Sequence, residues 1–206
     1  MIEQHLTFSQ TRRYYQNDLK GKKKILIALH GYGQLAQFFF RKFNFLNDHW
    51  GVVVPEGPHR FYLNGSSGRV GASWMTKEWR EQDILENNAY LQELLVKILE
   101  ENPHAKIHLL GFSQGGATAA RFYQSHPKYF QQLILWASVF PPDIDKNEFP
   151  KGAALHFAIG ENDPYFDKEG IHFTSETYQH VGFKVSLFEG HHDLHTPTLR
   201  SILTDD

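Results

Sequence analysis

One serine stands in a pattern that could make it a nucleophile. Residues 109–116 read Leu-Leu-Gly-Phe-Ser-Gln-Gly-Gly, so Ser113 lies midway between Gly111 and Gly115 after an apolar run. A serine on a sharp turn between a strand and a helix is strained and leaves little room for side chains two residues away. The following helix would offer its first amides to a developing oxyanion. The pattern predicts acyl transfer through a covalent intermediate on Ser113; the alternative is a serine that caps a helix.

An oxyanion hole needs a second donor from another loop. The segment His30-Gly31-Tyr32-Gly33 directly follows the apolar run 24–29, where such a loop belongs. We expect the backbone N–H groups of Tyr32 and Gln114 to be the two donors. The alternative is that these glycines only make a tight turn.

Candidates for an acid and a base follow Ser113 along the chain. The apolar run 155–159 ends in a loop that holds Glu161, Asp163 and Asp167, of which Asp163 is the best candidate to orient an imidazole. The run 184–188 ends in Glu-Gly-His-His-Asp-Leu-His, residues 189–195, and spacing alone does not decide between its three histidines. These histidines and Asp193 could instead ligate zinc. No two of the histidines form an i, i+4 pair on a helix, because the predicted helix starts only at Thr196-Pro197, and we expect no metal site.

The elements that must position these residues alternate along the chain. Apolar runs typical of buried parallel strands cover 24–29, 51–54, 107–110, 133–137, 155–159 and 185–188. Helical patterns cover 84–98 and 114–125, with weaker ones at 35–46 and 174–180. The alternation predicts an α/β fold with a mostly parallel sheet and helices on both faces. We also expect an antiparallel N-terminal hairpin over 2–17, irregular loops at 56–74 and 140–151, and a single domain, 1–206.

Composition excludes several classes of protein. The formal net charge of −2 does not indicate a nucleic-acid partner, and the absence of cysteine excludes disulfides and a cysteine nucleophile. The N-terminal residues do not read as a signal peptide, and no stretch is apolar enough to insert stably in a membrane. We therefore expect a cytoplasmic protein, and the sequence leaves its oligomeric state unknown.

From about residue 24 to 203 the chain resembles the carboxylesterase/phospholipase family of small α/β-hydrolases, which includes lysophospholipases and acyl-protein thioesterases. The motifs are the 30–33 loop, Gly-Phe-Ser-Gln-Gly-Gly at 111–116, Gly-Glu-Asn-Asp at 160–163 and Gly-His-His-Asp-Leu at 190–194. The Ser-Trp pair at 73–74 also looks like a family segment. The resemblance implies an α/β-hydrolase fold. Because the strands and helices take up most of this short chain, we expect no large cap domain, and we expect no cofactor.

The resemblance also implies which histidine is the base. Family members often read Gly-Gly-His-Glu-Ile there, so His192 falls on the catalytic position and His191 stands where glycine is common. The implied catalytic set is Ser113, Asp163 and His192.

Substrate-binding residues are expected from the irregular loops, namely Trp74, Phe140 and Tyr165. These aromatics and the absence of a dedicated basic patch favour a small or medium acyl ester over a highly charged substrate. The resemblance adds a lysophospholipid or a thioester as further options. The alternatives are a peptidase or an acyltransferase with the same catalytic set, and a non-catalytic binding protein on the same fold.

Overall fold

A computed structural model describes residues 1–46 and 48–204 of the chain. Residues 47, 205 and 206 of the predicted 1–206 domain lie outside the described residues. The strands are β1 Tyr14–Gln16, β2 Lys24–Leu29, β3 Trp50–Pro55, β4 His59–Tyr62, β5 Val70–Ser73, β6 Lys106–Phe112, β7 Phe130–Trp136, β8 Ala154–Gly160 and β9 Lys184–Phe188. The helices are α1 Ala36–Phe40, α2 Arg80–Glu101, α3 Gln114–Ser125, α4 Lys168–Val181 and α5 Thr196–Thr204, with 3₁₀ turns at Arg41–Phe43 and Pro127–Tyr129.

Seven strands form the central sheet in the order β1-β3-β2-β6-β7-β8-β9. Strand β1 is antiparallel to β3. The other neighbours in the sheet, namely β3-β2, β2-β6, β6-β7, β7-β8 and β8-β9, are parallel. The predicted α/β fold with a mostly parallel sheet is confirmed. Parallel strands end at a common edge, so the loops after β2, β6, β8 and β9 are brought to one side of the molecule.

Helices cover both faces of this sheet, as predicted. Side chains of β2 alternate between the faces, so Ile25 and Ile27 pack with helices α2, α3 and α4, while Leu26 and Ala28 pack with α1 and α5. These residues are almost completely buried. Burial of each isoleucine or leucine side chain stabilises the fold by about 1.5–3 kcal/mol, which explains the near-continuous apolar runs.

The two long helical patterns are confirmed. The stripe at 84–98 belongs to α2, which buries Leu91, Leu95 and Ile98 and ends at Glu101, ahead of Pro103. Proline disfavours helical backbone in the residue before it, which explains this end. Helix α3 has the predicted bounds. The predicted helix over 35–46 is shorter, because α1 ends at Phe40 and a 3₁₀ turn follows.

Two segments differ from their predicted form. The antiparallel edge predicted for 2–17 is present in β1, which pairs with β3, whereas residues 1–13 are described without a strand. The free edge of β3 accepts one partner, and β1 occupies it. In the segment 56–74, predicted as irregular, β4 and β5 form an antiparallel hairpin that pairs His59 with Ser73.

Candidate active site

Ser113 occupies the turn between β6 and α3 in a strained conformation. Its φ of 54° and ψ of −120° are rare for a residue with a side chain, and such positions cost about 1–3 kcal/mol. The turn is held because Ser113 N donates to Trp136 O at 2.8 Å and Gly116 N donates to Ser113 O at 2.9 Å. A Cβ at Gly111 would lie 2.4 Å from Gly115 O, so only glycine fits two residues before the serine.

The loop after β2 lies against this turn. A Cβ at Gly31 would lie 3.2 Å from Ser113 Cβ and 2.9 Å from Phe112 Cδ1, so the Gly31 backbone adjoins the serine. Gly33 has a φ of 75°, which favours glycine, and its N–H donates to Ala72 O at 2.8 Å. The structure therefore brings the predicted donor loop of Tyr32 next to Ser113.

A buried histidine fixes the orientation of that loop. His30 is fully buried, and its Nε2 accepts a hydrogen bond from Gly57 N at 2.9 Å. Its Nδ1 lies 2.8 Å from Gly31 O. Because Nε2 is an acceptor, the proton is assigned to Nδ1, which donates to the carbonyl. Burial lowers the pKa of His30 and keeps the ring neutral. The bonded carbonyl belongs to the same peptide as the Tyr32 N–H, so its position also fixes that amide.

Gln114 joins the serine turn to the segment after β5. Its Oε1 accepts from Trp74 N at 2.9 Å and its Nε2 donates to Met75 O at 2.9 Å. The Trp74 indole N–H then donates to His30 O at 2.8 Å. These bonds connect the two loops that carry the expected oxyanion donors.

Two of the three expected substrate-binding aromatics belong to the core. Trp74 is 0% exposed, and Phe140 is 8% exposed with ring contacts to Phe149 and Tyr178. Both side chains point into the core because burial of their apolar rings is favourable. For Trp74, a buried hydrogen bond from the indole N–H adds to this. Trp74 and Phe140 are therefore corrected to structural residues.

Asp163 and His192 meet at the edge of the sheet. His192 Nδ1 lies 2.6 Å from Asp163 Oδ2, and the other carboxylate oxygen accepts from Tyr165 N at 3.0 Å. The aspartate side chain is 0% exposed and that of His192 is 16% exposed. The imidazole lies against the rings of Phe112 and Tyr165, at 4.9 and 4.5 Å between centroids. Phe112 directly precedes Ser113, so this imidazole adjoins the serine turn.

The competing residues on these loops have other partners. His191 is exposed, and its Nδ1 lies 2.9 Å from the backbone oxygen of Asn162. Asp167 accepts from Gly170 N and caps α4, while Glu161 is exposed. Tyr165, the third expected substrate-binding residue, is 76% exposed beside His192.

An ion pair that was not predicted from the sequence joins the His192 loop to the segment after α1. Lys42 Nζ lies 2.6 Å from Asp193 Oδ1, and the Trp136 indole donates to Asp193 O at 3.0 Å. Lys42 and Asp193 are 151 positions apart, so no local signal could have paired them. Within the described residues, no group of three or more His, Cys, Asp and Glu side chains could hold a metal ion.

A family model for the alpha/beta hydrolase fold matches residues 24–158, more than half of the chain. The chain belongs to the α/β-hydrolase family. The region matched includes β2, the 30–33 loop and the Ser113 turn.

Solved structures of α/β-hydrolases share the whole architecture. A carboxylesterase from Mesorhizobium loti superposes with a TM-score of 0.72 at 16% identity, over 95% of each chain. Acyl-protein thioesterase 2 from Zea mays superposes with a TM-score of 0.68 at 18% identity, over 92% of this chain and 95% of that one. At this identity the likeness shows the fold.

The sequence is also similar to part of a longer protein. A 1-acylglycerol-3-phosphate O-acyltransferase from Arabidopsis thaliana is 30% identical over 129 residues, which cover 59% of this chain and 26% of that protein. The chain spans about a quarter of the length of the curated relatives it matches. Among the described helices, none has the length and apolar character needed to cross a membrane.

Proposed function

We propose that this α/β-hydrolase cleaves carboxylic esters through Ser113, His192 and Asp163. The observation that carries the proposal is the strained backbone of Ser113, with a φ of 54°, at the start of α3. Such strain persists only where the surrounding structure enforces it, and it is concentrated at functional sites. Here close glycine contacts and two backbone hydrogen bonds enforce it.

In the proposed first step, the Ser113 hydroxyl attacks the ester carbonyl. Because His192 Nδ1 is bonded to Asp163, Nε2 is the ring nitrogen available to take the serine proton. The buried carboxylate favours the resulting imidazolium and holds the ring orientation. Collapse of the tetrahedral intermediate breaks the C–O bond, and the alcohol leaves with the proton from His192.

The oxyanion would be held by the amides of Tyr32 and Gln114. The first amides of a helix have no intrahelical acceptor, and Gln114 is the first residue of α3. The Tyr32 amide belongs to the peptide that His30 fixes. In the second step His192 removes a proton from water, the hydroxide attacks the acyl group, and the acid is released as Ser113 regains its proton.

We take the substrate to be a small or medium acyl ester. Tyr165 is exposed beside His192 and offers an aromatic surface to a substrate. The carboxylesterase and thioesterase among the similar structures act on acyl groups by their names, which supports both an oxygen ester and a thioester as candidates.

A hydrolysis assay with p-nitrophenyl acetate, longer p-nitrophenyl esters and acyl thioesters tests the proposal. The variant Ser113→Ala should lose turnover by about 10⁴-fold or more. Ser125→Ala is the matched control, since this exposed serine lies at the far end of the same helix. A fluorophosphonate should add one mass label to the wild type and none to Ser113→Ala. Retained turnover in Ser113→Ala would exclude the proposed nucleophile.

A second candidate is acyl transfer to an alcohol, favoured by the similarity to the 1-acylglycerol-3-phosphate O-acyltransferase. The same acyl-enzyme can react with water or with an alcohol. Incubation with p-nitrophenyl butyrate and 1-acylglycerol-3-phosphate, followed by mass spectrometry of the products, distinguishes hydrolysis from transfer. Butyrate as the only product supports hydrolysis, and butyrylated lipid as the main product supports transfer.

A further inference from the structure

A cavity lies between α1 and the β4–β5 hairpin. Its volume is about 500 Å³. Its apolar wall comes from Leu35, Phe38, Phe39 and Val70, and its charged groups are Lys42 and Arg69. The catalytic proposal uses none of these side chains.

This cavity adjoins the proposed oxyanion loop. Gly33 and Gln34 line it, and Gln34 Oε1 accepts from Gly31 N at 3.0 Å, directly before Tyr32. Phe39, part of its wall, is buried, and its ring lies 5.9 Å from that of Phe112, the residue before Ser113. A substrate whose carbonyl lies at Ser113 could therefore extend one arm into the cavity.

The cavity also adjoins the His192 loop. Lys42, which lines it, bonds Asp193, the residue that follows the proposed base. The cavity is thus bordered by segments that carry both proposed functions, the oxyanion donor and the general base.

The charge around the cavity is positive. Arg69 is exposed on the hairpin, and the Arg41 guanidinium lies 5.1 Å from the ring centre of Phe38. Lys42 is on the α1 side, and Asp193 offsets one positive charge. Lys42 and Arg69 line the cavity and Arg41 lies beside Phe38, so with Asp193 these four side chains carry a formal net charge of +2.

We propose that this cavity binds an arm of the ester that carries an anionic group, a carboxylate or a phosphate, on a short apolar chain. This inference rests on the proposed ester hydrolysis and names its substrate class. The methylene groups of the arm would pack against Phe38 and Phe39, and the anion would bind Arg69 beside the Lys42–Asp193 ion pair. A guanidinium fork suits the oxygens of both groups, and charged hydrogen bonds are stronger than neutral ones.

Matched substrates that differ by one anionic group test the subsite. One pair is monobutyrin and 1-butyrylglycerol-3-phosphate, and the other is p-nitrophenyl methyl glutarate and mono-p-nitrophenyl glutarate. The first pair tests a phosphate on the alcohol side and the second a carboxylate on the acyl side. In at least one pair, the wild type should prefer the anionic member by about 5- to 30-fold in kcat/KM.

Arg69→Gln should reduce that preference to below threefold. The control is Lys128→Gln, which removes the same charge from an exposed turn before β7, at the opposite end of the strands. It should keep the wild-type ratio. A wild type that prefers the neutral member in both pairs, or an equal ratio in the two variants, would overturn the subsite.

A binding measurement separates failure of the subsite from failure of the catalytic proposal. The Ser113→Ala protein is titrated with butyl phosphate, pentanoate and 1-pentanol by NMR, and at least one anion should bind at least fivefold more tightly than the alcohol. Adding Arg69→Gln should remove this difference, and adding Lys128→Gln should not. Anions that bind no better than pentanol overturn the subsite, whereas turnover that survives Ser113→Ala overturns only the catalytic proposal.

Discussion

His192 Nδ1 and Asp163 Oδ2 are 2.6 Å apart although 29 positions separate the two residues in the chain. Strands β8 and β9 are parallel neighbours, and Gly160 pairs with Phe188 at their ends. The loops that follow are therefore adjacent, and Asn162 N donates to Gly190 O at 2.9 Å. The pairing of the aspartate with the histidine is thus a direct consequence of the order of the strands.

Asp163→Asn should lower kcat/KM by about 10³- to 10⁴-fold, because an amide can donate to the imidazole and favour the wrong tautomer. The control is Asp167→Asn on the same loop, where the side chain caps α4. It should keep ester turnover and change the free energy of unfolding by at most about 1 kcal/mol. Steady-state kinetics of both variants measure this. Asp163→Asn activity within tenfold of the wild type would contradict the role of this carboxylate.

The two adjacent histidines should differ in their effect on catalysis. His192→Gln should lose ester turnover by about 10³-fold or more, because the proposed general base is removed. His191→Gln should retain turnover within about threefold, since the exposed His191 bonds only a backbone oxygen among the contacts described for it. Steady-state kinetics on p-nitrophenyl butyrate compare them. Loss of activity in His191→Gln alone would reverse the assignment.

Short-range features of the site were predictable from the sequence. The Ser113 turn needs glycine at 111 and 115, and these requirements fall within five residues. The choice between His191 and His192 was not predictable from spacing. The two residues are adjacent, and which of them contacts Asp163 depends on the fold of the loop. There the resemblance to a family chose His192, whose Nδ1 lies 2.6 Å from Asp163 Oδ2.

Long-range features were predicted less well. The irregular segment 56–74 predicts that Trp74, its last residue, contacts the substrate, yet the Trp74 indole donates to His30 O, 44 positions back in the chain. Lys42 and Asp193 likewise meet only because the 3₁₀ turn after α1 packs beside the loop after β9. The strand and helix alternation was predictable because each buried strand is apolar on both faces along its own length.

Acidification should destabilise the protein in part through His30. Burial lowers the pKa of His30 in the folded protein below its ordinary value of 6.5, so the unfolded chain binds the proton more tightly. Stability is therefore lost as the pH falls below the unfolded value, by at most about 1.4 kcal/mol per pH unit for one proton. Urea unfolding between pH 7.5 and 5 should show a smaller dependence in His30→Asn. His104→Asn, at an exposed histidine, should keep the wild-type dependence. The same slope in His30→Asn and wild type would exclude this role.

A methyl group at Gly115 should damage both stability and the proposed oxyanion loop. Its Cβ would lie 2.5 Å from the backbone oxygens of Leu29 and His30, which cannot move without shifting the end of β2. Gly115→Ala should therefore lower the free energy of unfolding by about 1–3 kcal/mol. Gly152→Ala adds the same methyl group where nothing lies within 4 Å, and should change stability by at most about 1 kcal/mol.

Urea unfolding and ester kinetics on the two alanine variants give separate readouts of this contact. At a temperature where both proteins are fully folded, Gly115→Ala should also lose turnover. The contacted oxygens belong to Leu29 and His30, which directly precede Gly31 and Tyr32 in the chain. Gly152→Ala should hydrolyse esters at the wild-type rate. Equal stability and equal turnover in the two variants would show that the end of β2 can yield to the added methyl group.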